Sequence, residues 1–165
     1  MEPVDVRDLL DEPGASRRVR RDAAFEGMAT ELARVRDDDP VRIDVLLDSV
    51  VEGILASGTL SGPMRFRCAR CLTEFTGQFR HEVRELFTTE PRADRDEYPI
   101  ADGHIDLEPM VRDTVVLAMP FAPLCREDCL GLCERCGGDR NAGECSCGPE
   151  TDPRWSALDT LVLDD

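Results

Sequence analysis

The chain contains no lysine; all twenty of its basic residues are arginine, a bias of composition rather than a functional device. Thirty-five acids outweigh them and set the net charge at −15, which excludes binding nucleic acid through bulk positive charge. Histidine is nearly as scarce. His81 and His104 are the only two, and neither neighbours a second histidine or a serine nucleophile. No G-x-S-x-G elbow, phosphate loop or G-x-G-x-x-G fingerprint occurs, so no enzyme motif is present and none is expected. No apolar run approaches the ~18 residues of a membrane-spanning helix. The opening MEPVDVRDLLDEPGASRRVRR places acids ahead of its basic cluster and has no apolar core, so no secretory signal is expected. These exclusions lead us to expect a cytoplasmic protein with no membrane partner.

Cysteine, in contrast, is plentiful. Eight cysteines in 165 residues argue for metal or redox chemistry, because a reducing compartment disfavours a disulfide framework. They fall into four pairs: Cys68/Cys71 and Cys133/Cys136 as C-x2-C, Cys125/Cys129 as C-x3-C, and Cys145/Cys147 as C-x-C. A C-x2-C turn aims two thiolates at one metal, and zinc takes four in a tetrahedron. Cys133, Cys136, Cys145 and Cys147 are expected to form one closed structural zinc site, with Gly137, Gly138 and Gly143 reversing the chain between the pairs. Metal would supply folding energy to a segment with almost no apolar residues. Cys68, Cys71, Cys125 and Cys129 remain for a second site joining the hairpin near residue 70 to the later segment. A split placing Cys125 and Cys129 with Cys133 and Cys136 stays open, as do free buried thiols at 68 and 71. An iron–sulfur reading of C-x3-C-x2-C fits poorly with so short a chain. A redox dithiol at C-A-R-C fits poorly with its hairpin flanks.

Hydrophobic periodicity predicts an α+β fold: an antiparallel sheet, one long helix packed on it, and a cysteine-rich zinc-binding C-terminal segment. Residues 1–40 read as an N-terminal segment, 41–122 as the α+β core, and 123–165 as the cysteine-rich segment with a short C-terminal helix. Val41, Ile43, Val45, Leu47 and Val51 alternate as the buried face of a strand. EGILASGTLSG suggests a second strand broken by glycines, and Met64, Phe66 and Cys68 a third. Phe75, Phe79, Val83 and Phe87 share the face of a fourth. Residues 88–104, acidic and proline-bearing, read as a loop. Asp106 can cap a helix whose apolar stripe runs Leu107, Met110, Val111, Thr114, Val115 and Ala118, with Pro120 and Pro123 ending it. Asp152 and Pro153 start a short helix carrying Trp155, Leu158 and Leu161.

Charge is uneven along the chain. Residues 61–87 hold five arginines against three acids, the only basic stretch. Arg65, Arg67, Arg70, Arg80 and Arg84 are therefore the candidate RNA contacts, with Phe66, Phe75 and Phe79 interleaved. Residue types alone favour a plainer account, in which the phenylalanines are core and the arginines solvate the outer face.

CARCL at 68–72, IDLEPMVRDTVVLAMP at 105–120, PLCREDCLGLCERCGGDRNAGECSC at 123–147 and DPRWSALDTL at 152–161 occur in that order. Together they resemble the YceD family, the large ribosomal RNA subunit accumulation proteins. The resemblance implies a non-enzymatic ribosome-biogenesis factor that promotes synthesis, processing or accumulation of large-subunit ribosomal RNA. The implied partner is that RNA or a pre-ribosomal particle. The acidity of the chain suits a second role, as escort of a basic large-subunit ribosomal protein.

Overall fold

The computed structural model describes residues 1–92, 95, 97–148 and 154. Most of the secondary structure is one curled sheet. Its strands are β1 (Val4–Asp5), β2 (Ser16–Ala23), β3 (Ala33–Arg34), β4 (Val41–Val50), β5 (Gly53–Arg67), β6 (Glu74–Thr88), β7 (Tyr98–Ala101) and β8 (His104–Ile105). Two short helices accompany it, α1 (Arg7–Leu10) and α2 (Glu108–Leu117). The strand order is β1-β8-β7-β6-β5-β4-β2, with β3 pairing β5 beyond the end of β4. Every pairing is antiparallel except β6 with β7.

The alternation of β4 places Val41, Ile43, Val45 and Leu47 in the core, as the sequence predicts. Val51 departs from the expectation. The strand stops at Val50, the chain turns, and Val51 is fully exposed, while Ser49 takes the last inward position. The two strands expected before Cys68 are one fifteen-residue strand, β5. Its glycines do not break it. A Cβ at Gly58 would lie 2.1 Å from the Asp44 carbonyl oxygen, so glycine here permits β4 to approach. β6 is a strand along its whole length, burying Phe79, Val83 and Phe87.

The acidic stretch after β6 is more than a loop. Tyr98 packs its ring against Phe87 at 5.3 Å, and Ile100 and Ile105 are buried, which anchors the β7–β8 hairpin. The expected long helix is corrected too: α2 has ten residues. The Asp106 carboxylate accepts the Glu108 backbone N–H at 2.9 Å at its start, Pro109 sits in its first turn, and Met110, Val111 and Val115 are buried. The cluster RRVRR is the centre of β2. Val19 points inward. Arg17 and Arg21 on the same face reach over the N-terminal residues, to Asp8 and to the Glu2 carbonyl. Val4, Val6, Leu9, Phe25, Met28 and Val35 share one core with β4–β6 and α2, so residues 1–40 contribute to the same packing unit. The C-terminal helix expected from Asp152, Trp155, Leu158 and Leu161 lies outside the described residues.

Candidate metal centres

β5 and β6 form a hairpin whose two long strands pair from Ile54 with Phe87 to Arg67 with Glu74. The turn that closes it is the C-A-R-C-L segment. There the Leu72 N–H bonds the Cys68 carbonyl at 2.9 Å, and Leu72 adopts a left-handed conformation, φ 61°. The second C-x2-C repeats the geometry. The Gly137 N–H bonds the Cys133 carbonyl at 2.8 Å, with Gly137 at φ 71°. Each is a tight knuckle that points two sulfurs the same way, and the left-handed residue after the second cysteine makes the turn possible.

Each knuckle meets a second pair of thiols. The sulfurs of Cys68, Cys71, Cys125 and Cys129 lie within 4.8 Å of one another, and so do those of Cys133, Cys136, Cys145 and Cys147. The sequence left the division of the eight thiols open, and this is how the fold divides them. In the first set, Sγ of Cys68 is 3.8 Å from that of Cys129, and Sγ of Cys71 is 3.7 Å from that of Cys125. A tetrahedral site with metal–sulfur bonds of about 2.3 Å has sulfur–sulfur edges of about 3.8 Å. The thiols therefore already stand at the spacing a single tetrahedral ion requires.

Electrostatics supports the same assignment. Burial pushes the Cys68 thiol up, but backbone N–H groups of Cys125, Cys71 and Arg70 outweigh it and hold it at about 6. Cys125 is pushed up to about 12 by burial and by the neighbouring thiols of Cys71, Cys68 and Cys129. In the second set the Cys136 N–H and the Cys145 thiol hold Cys133 at about 6, while Cys136 and Cys145 push Cys147 up to about 12. In each set the close thiols push one another's titration apart, so four thiolates could coexist there only with a cation among them.

The two sites differ in surroundings. Cys68, Cys71 and Cys129 are buried and make a small core with Phe75, Leu124 and Leu132. In the other set Cys136 and Cys147 are exposed. Asn141 links them. It belongs to the loop between the pairs of the exposed site, yet its side-chain amide donates to the Cys129 sulfur at 3.6 Å and its carbonyl accepts the Leu130 N–H at 2.8 Å. Its role was not visible in the sequence, because a lone asparagine in a polar loop carries no motif.

The predicted arginines separate. Arg70 folds back over the thiols: its guanidinium donates to the Cys129 carbonyl at 2.8 Å and its own carbonyl accepts the Leu132 N–H at 3.0 Å, so it braces the buried thiol cluster. Arg65 and Arg67 lie on the outer face of β5, where Glu74 stands 3.7 Å from Arg67. Arg80 and Arg84 lie exposed on the outer face of β6, and among the described residues neither is within ion-pair distance of an acid. Phe66, Phe75 and Phe79 take the opposite face. Phe66 and Phe75 stack at 5.1 Å, and Phe79 is buried in the core. Among the described residues no aromatic is interleaved with these arginines on one surface.

With this geometry in hand, comparison with known proteins assigns the lineage. Residues 56–162, which include both knuckles, match the family described as large ribosomal RNA subunit accumulation protein YceD. The chain belongs to the YceD family. An uncharacterized protein of Mycobacterium tuberculosis strain H37Rv is 33% identical over 94% of this chain and 78% of its own length. The YlbN protein of Bacillus subtilis is 28% identical over 82% of this chain and 84% of its own. A Zea mays relative, named large ribosomal RNA subunit accumulation protein YCED homolog 1, chloroplastic, is 37% identical over 57 residues, 34% of this chain and 20% of its own. No solved structure matches. Family membership ties the chain to large-subunit ribosomal RNA at the level of the family name. Among the described residues no helix is long and apolar enough to cross a membrane.

Proposed function

We propose that this chain is a non-enzymatic, cytoplasmic assembly factor that supports the accumulation of large-subunit ribosomal RNA by binding its precursor or a pre-ribosomal particle. Membership of the YceD family carries this reading. Both cysteine sets offer four thiolates, which as zinc sites would be coordinatively closed and leave no position for a substrate. Zinc suits them by ligand type and by sulfur spacing. Its role would be architectural: Cys68 and Cys71 on the hairpin, and Cys125 and Cys129 on the later segment, hold the two together, with Arg70 and Asn141 fixing the orientation of Cys129.

Depletion of the protein in its own host, followed by quantification of large-subunit RNA and its precursors, tests the role. Selective loss of large-subunit RNA is expected, and unchanged levels refute it. Elemental analysis of the purified chain tests the metal, with two zinc ions per chain expected and iron with visible absorbance refuting zinc.

A second reading is favoured by one cavity of about 470 Å³, where Glu85, Glu97 and Asp113 outnumber Arg95, which pairs with Glu97 at 3.8 Å, beside Tyr98 and the exposed Leu117. Carboxylates around an apolar side chain suit a lysine or arginine from a basic protein, as an escort of a ribosomal protein requires. Crosslinking in cells separates the two readings. Recovery of precursor RNA supports the first, and recovery of a ribosomal protein without RNA supports the second.

A further inference from the structure

The strand register places the side chains of the outer sheet face in rows. Arg18, Leu46, Ser57 and Arg84 form one row across β2, β4, β5 and β6. Arg20, Asp44, Thr59 and Glu82 form the next, and Asp22, Arg42, Ser61 and Arg80 the third. Further along the hairpin, Arg34 of β3 lies opposite Arg65, and Arg67 opposite Glu74. On this face arginines outnumber carboxylates, although the whole chain carries −15. The three rows hold five arginines against three carboxylates, a local excess of positive charge on an acidic chain.

The face has a definite shape. Along its middle, β5 presents only the short, half-buried Ser57, Thr59 and Ser61. Longer arginines rise on either side, from β2 and β4 on one flank and from β6 on the other. Arg42 and Arg80 are two strand spacings apart, about 10 Å, and Arg80 and Arg84 are four residues apart along one strand, about 13 Å. The result is a shallow trough with a hydroxyl floor, flanked by arginines and interrupted in its middle row by Asp44 on one side and Glu82 on the other. Asp44 occupies Arg18 and Arg20, and Asp22 occupies Arg42, whereas Arg80 and Arg84 make no ion pair among the described residues. On β6 these two arginines flank Glu82 on the same exposed face, and they are the arginines of the three rows left to meet an external anion.

The trough is also marked by what its rows omit. Single-stranded RNA is held by stacking bases on aromatic rings, and double-stranded RNA by contacts to phosphates and 2′-hydroxyls. Phe66, Phe75 and Phe79 all sit on the other face of the hairpin, and none of the rows carries an aromatic. Guanidinium groups and hydroxyls match the backbone of a duplex. We infer that the outer face of β2, β4, β5 and β6 binds double-stranded RNA through its backbone, with Arg80 and Arg84 as principal phosphate contacts. This deepens the proposal that the chain acts on large-subunit RNA, and rests on it.

The test uses the full, metal-loaded chain and a fluorescent 20-base-pair RNA duplex of arbitrary sequence, its separate strands, and polyglutamate as competitor. Wild-type protein should bind the duplex more tightly than either strand. The double variant R80A/R84A should weaken duplex binding at least tenfold at low salt and lower the slope of log affinity against log salt by about 2, close to one for each phosphate no longer neutralised. Arg92→Ala, off this face, should change neither. Matched thermal melts of the variants and the wild type, expected to coincide, separate lost binding from lost fold. Unchanged duplex binding by R80A/R84A, preference for the single strands, or equal competition by polyglutamate overturns the inference. The depletion experiment fails independently: duplex binding through this face in cells that need no such protein for their large-subunit RNA would refute the cellular role and leave the face standing.

Discussion

Stripping the metal from the buried site should detach residues 123–148 from the sheet while β4, β5 and β6 remain folded. The direct links between tail and knuckle are few. The Ala69 N–H bonds the Pro123 carbonyl at 2.8 Å, the Leu132 N–H bonds the Arg70 carbonyl at 3.0 Å, and Arg70 donates to the Cys129 carbonyl at 2.8 Å. Such bonds contribute about 1 kcal/mol each, somewhat more for the charged one. Leu124 and Leu132, partly buried on the thiol cluster, add about 1 kcal/mol each. Against these, ordering each residue costs about 1 kcal/mol or more, and residues 123–132, which the second thiol set does not order, number ten. Hydrogen bonds and leucines alone therefore lose, whereas a structural zinc supplies about 10–16 kcal/mol. The assay is amide hydrogen exchange with and without a strong chelator under reducing conditions. Protection at Ala69 and Leu132 should fall at least a thousandfold, the equivalent of about 4 kcal/mol, with Ile43, Val45 and Leu60 unchanged. Persistent protection at Ala69 and Leu132 in protein shown to be metal-free would refute the argument that metal holds the tail.

The exposed site should release zinc first, so titration with a chelator that reports zinc should show two phases, the faster one abolished by Cys147→Ser. Asn141→Ala should lower zinc affinity at the buried site about tenfold through loss of its bond to the Cys129 sulfur, measured by competition with a zinc dye. Gly58→Ala should destabilise the sheet by about 3 kcal/mol, because the new methyl meets the β4 backbone, and should lower the melting temperature by roughly 6–12 °C. The Arg18 guanidinium holds the Asp44 carboxyl below its ordinary 3.8, against an opposing effect of burial, and Arg20 adds to it. A depressed folded value means stability that is present above 3.8 and lost as pH falls through the lower folded value. Asp44→Asn should therefore flatten the decline of melting temperature below about pH 4.

Local pattern carried the sequence reading furthest where one period served one surface. The alternation of β4 and the phenylalanine–valine stripe of β6 each name a buried face, and both are strands. The reading weakened where a residue served a partner distant in sequence. Gly58 looks like a break until β4 is laid against it, and β7 looks like loop until Tyr98 meets Phe87. The cysteine spacings marked both knuckles, but only the fold brings Cys125 and Cys129 to the hairpin instead of to the neighbouring Cys133 and Cys136. Arg70, chosen for charge, braces a thiol site. Arg18, Arg20 and Arg42 fell outside the basic stretch, because a sheet face gathers residues from strands that a linear charge count keeps apart.

The buried site joins thiols 54 and 61 positions apart, whereas all four thiols of the exposed site fall within fifteen residues. Synthesis separates them in time. At about 5–20 residues per second, Cys68 and Cys71 wait roughly 3–12 s before their partners are made. During that interval the hairpin offers two thiolates to any soft cation and can hold one only by half. The local site is completed later still, at Cys147, but its first thiols wait no more than about 3 s for their partners. A clasp between hairpin and tail thus closes long after the hairpin is made, and if zinc fills it, as proposed, the metal available in those seconds would limit how many new chains close it correctly.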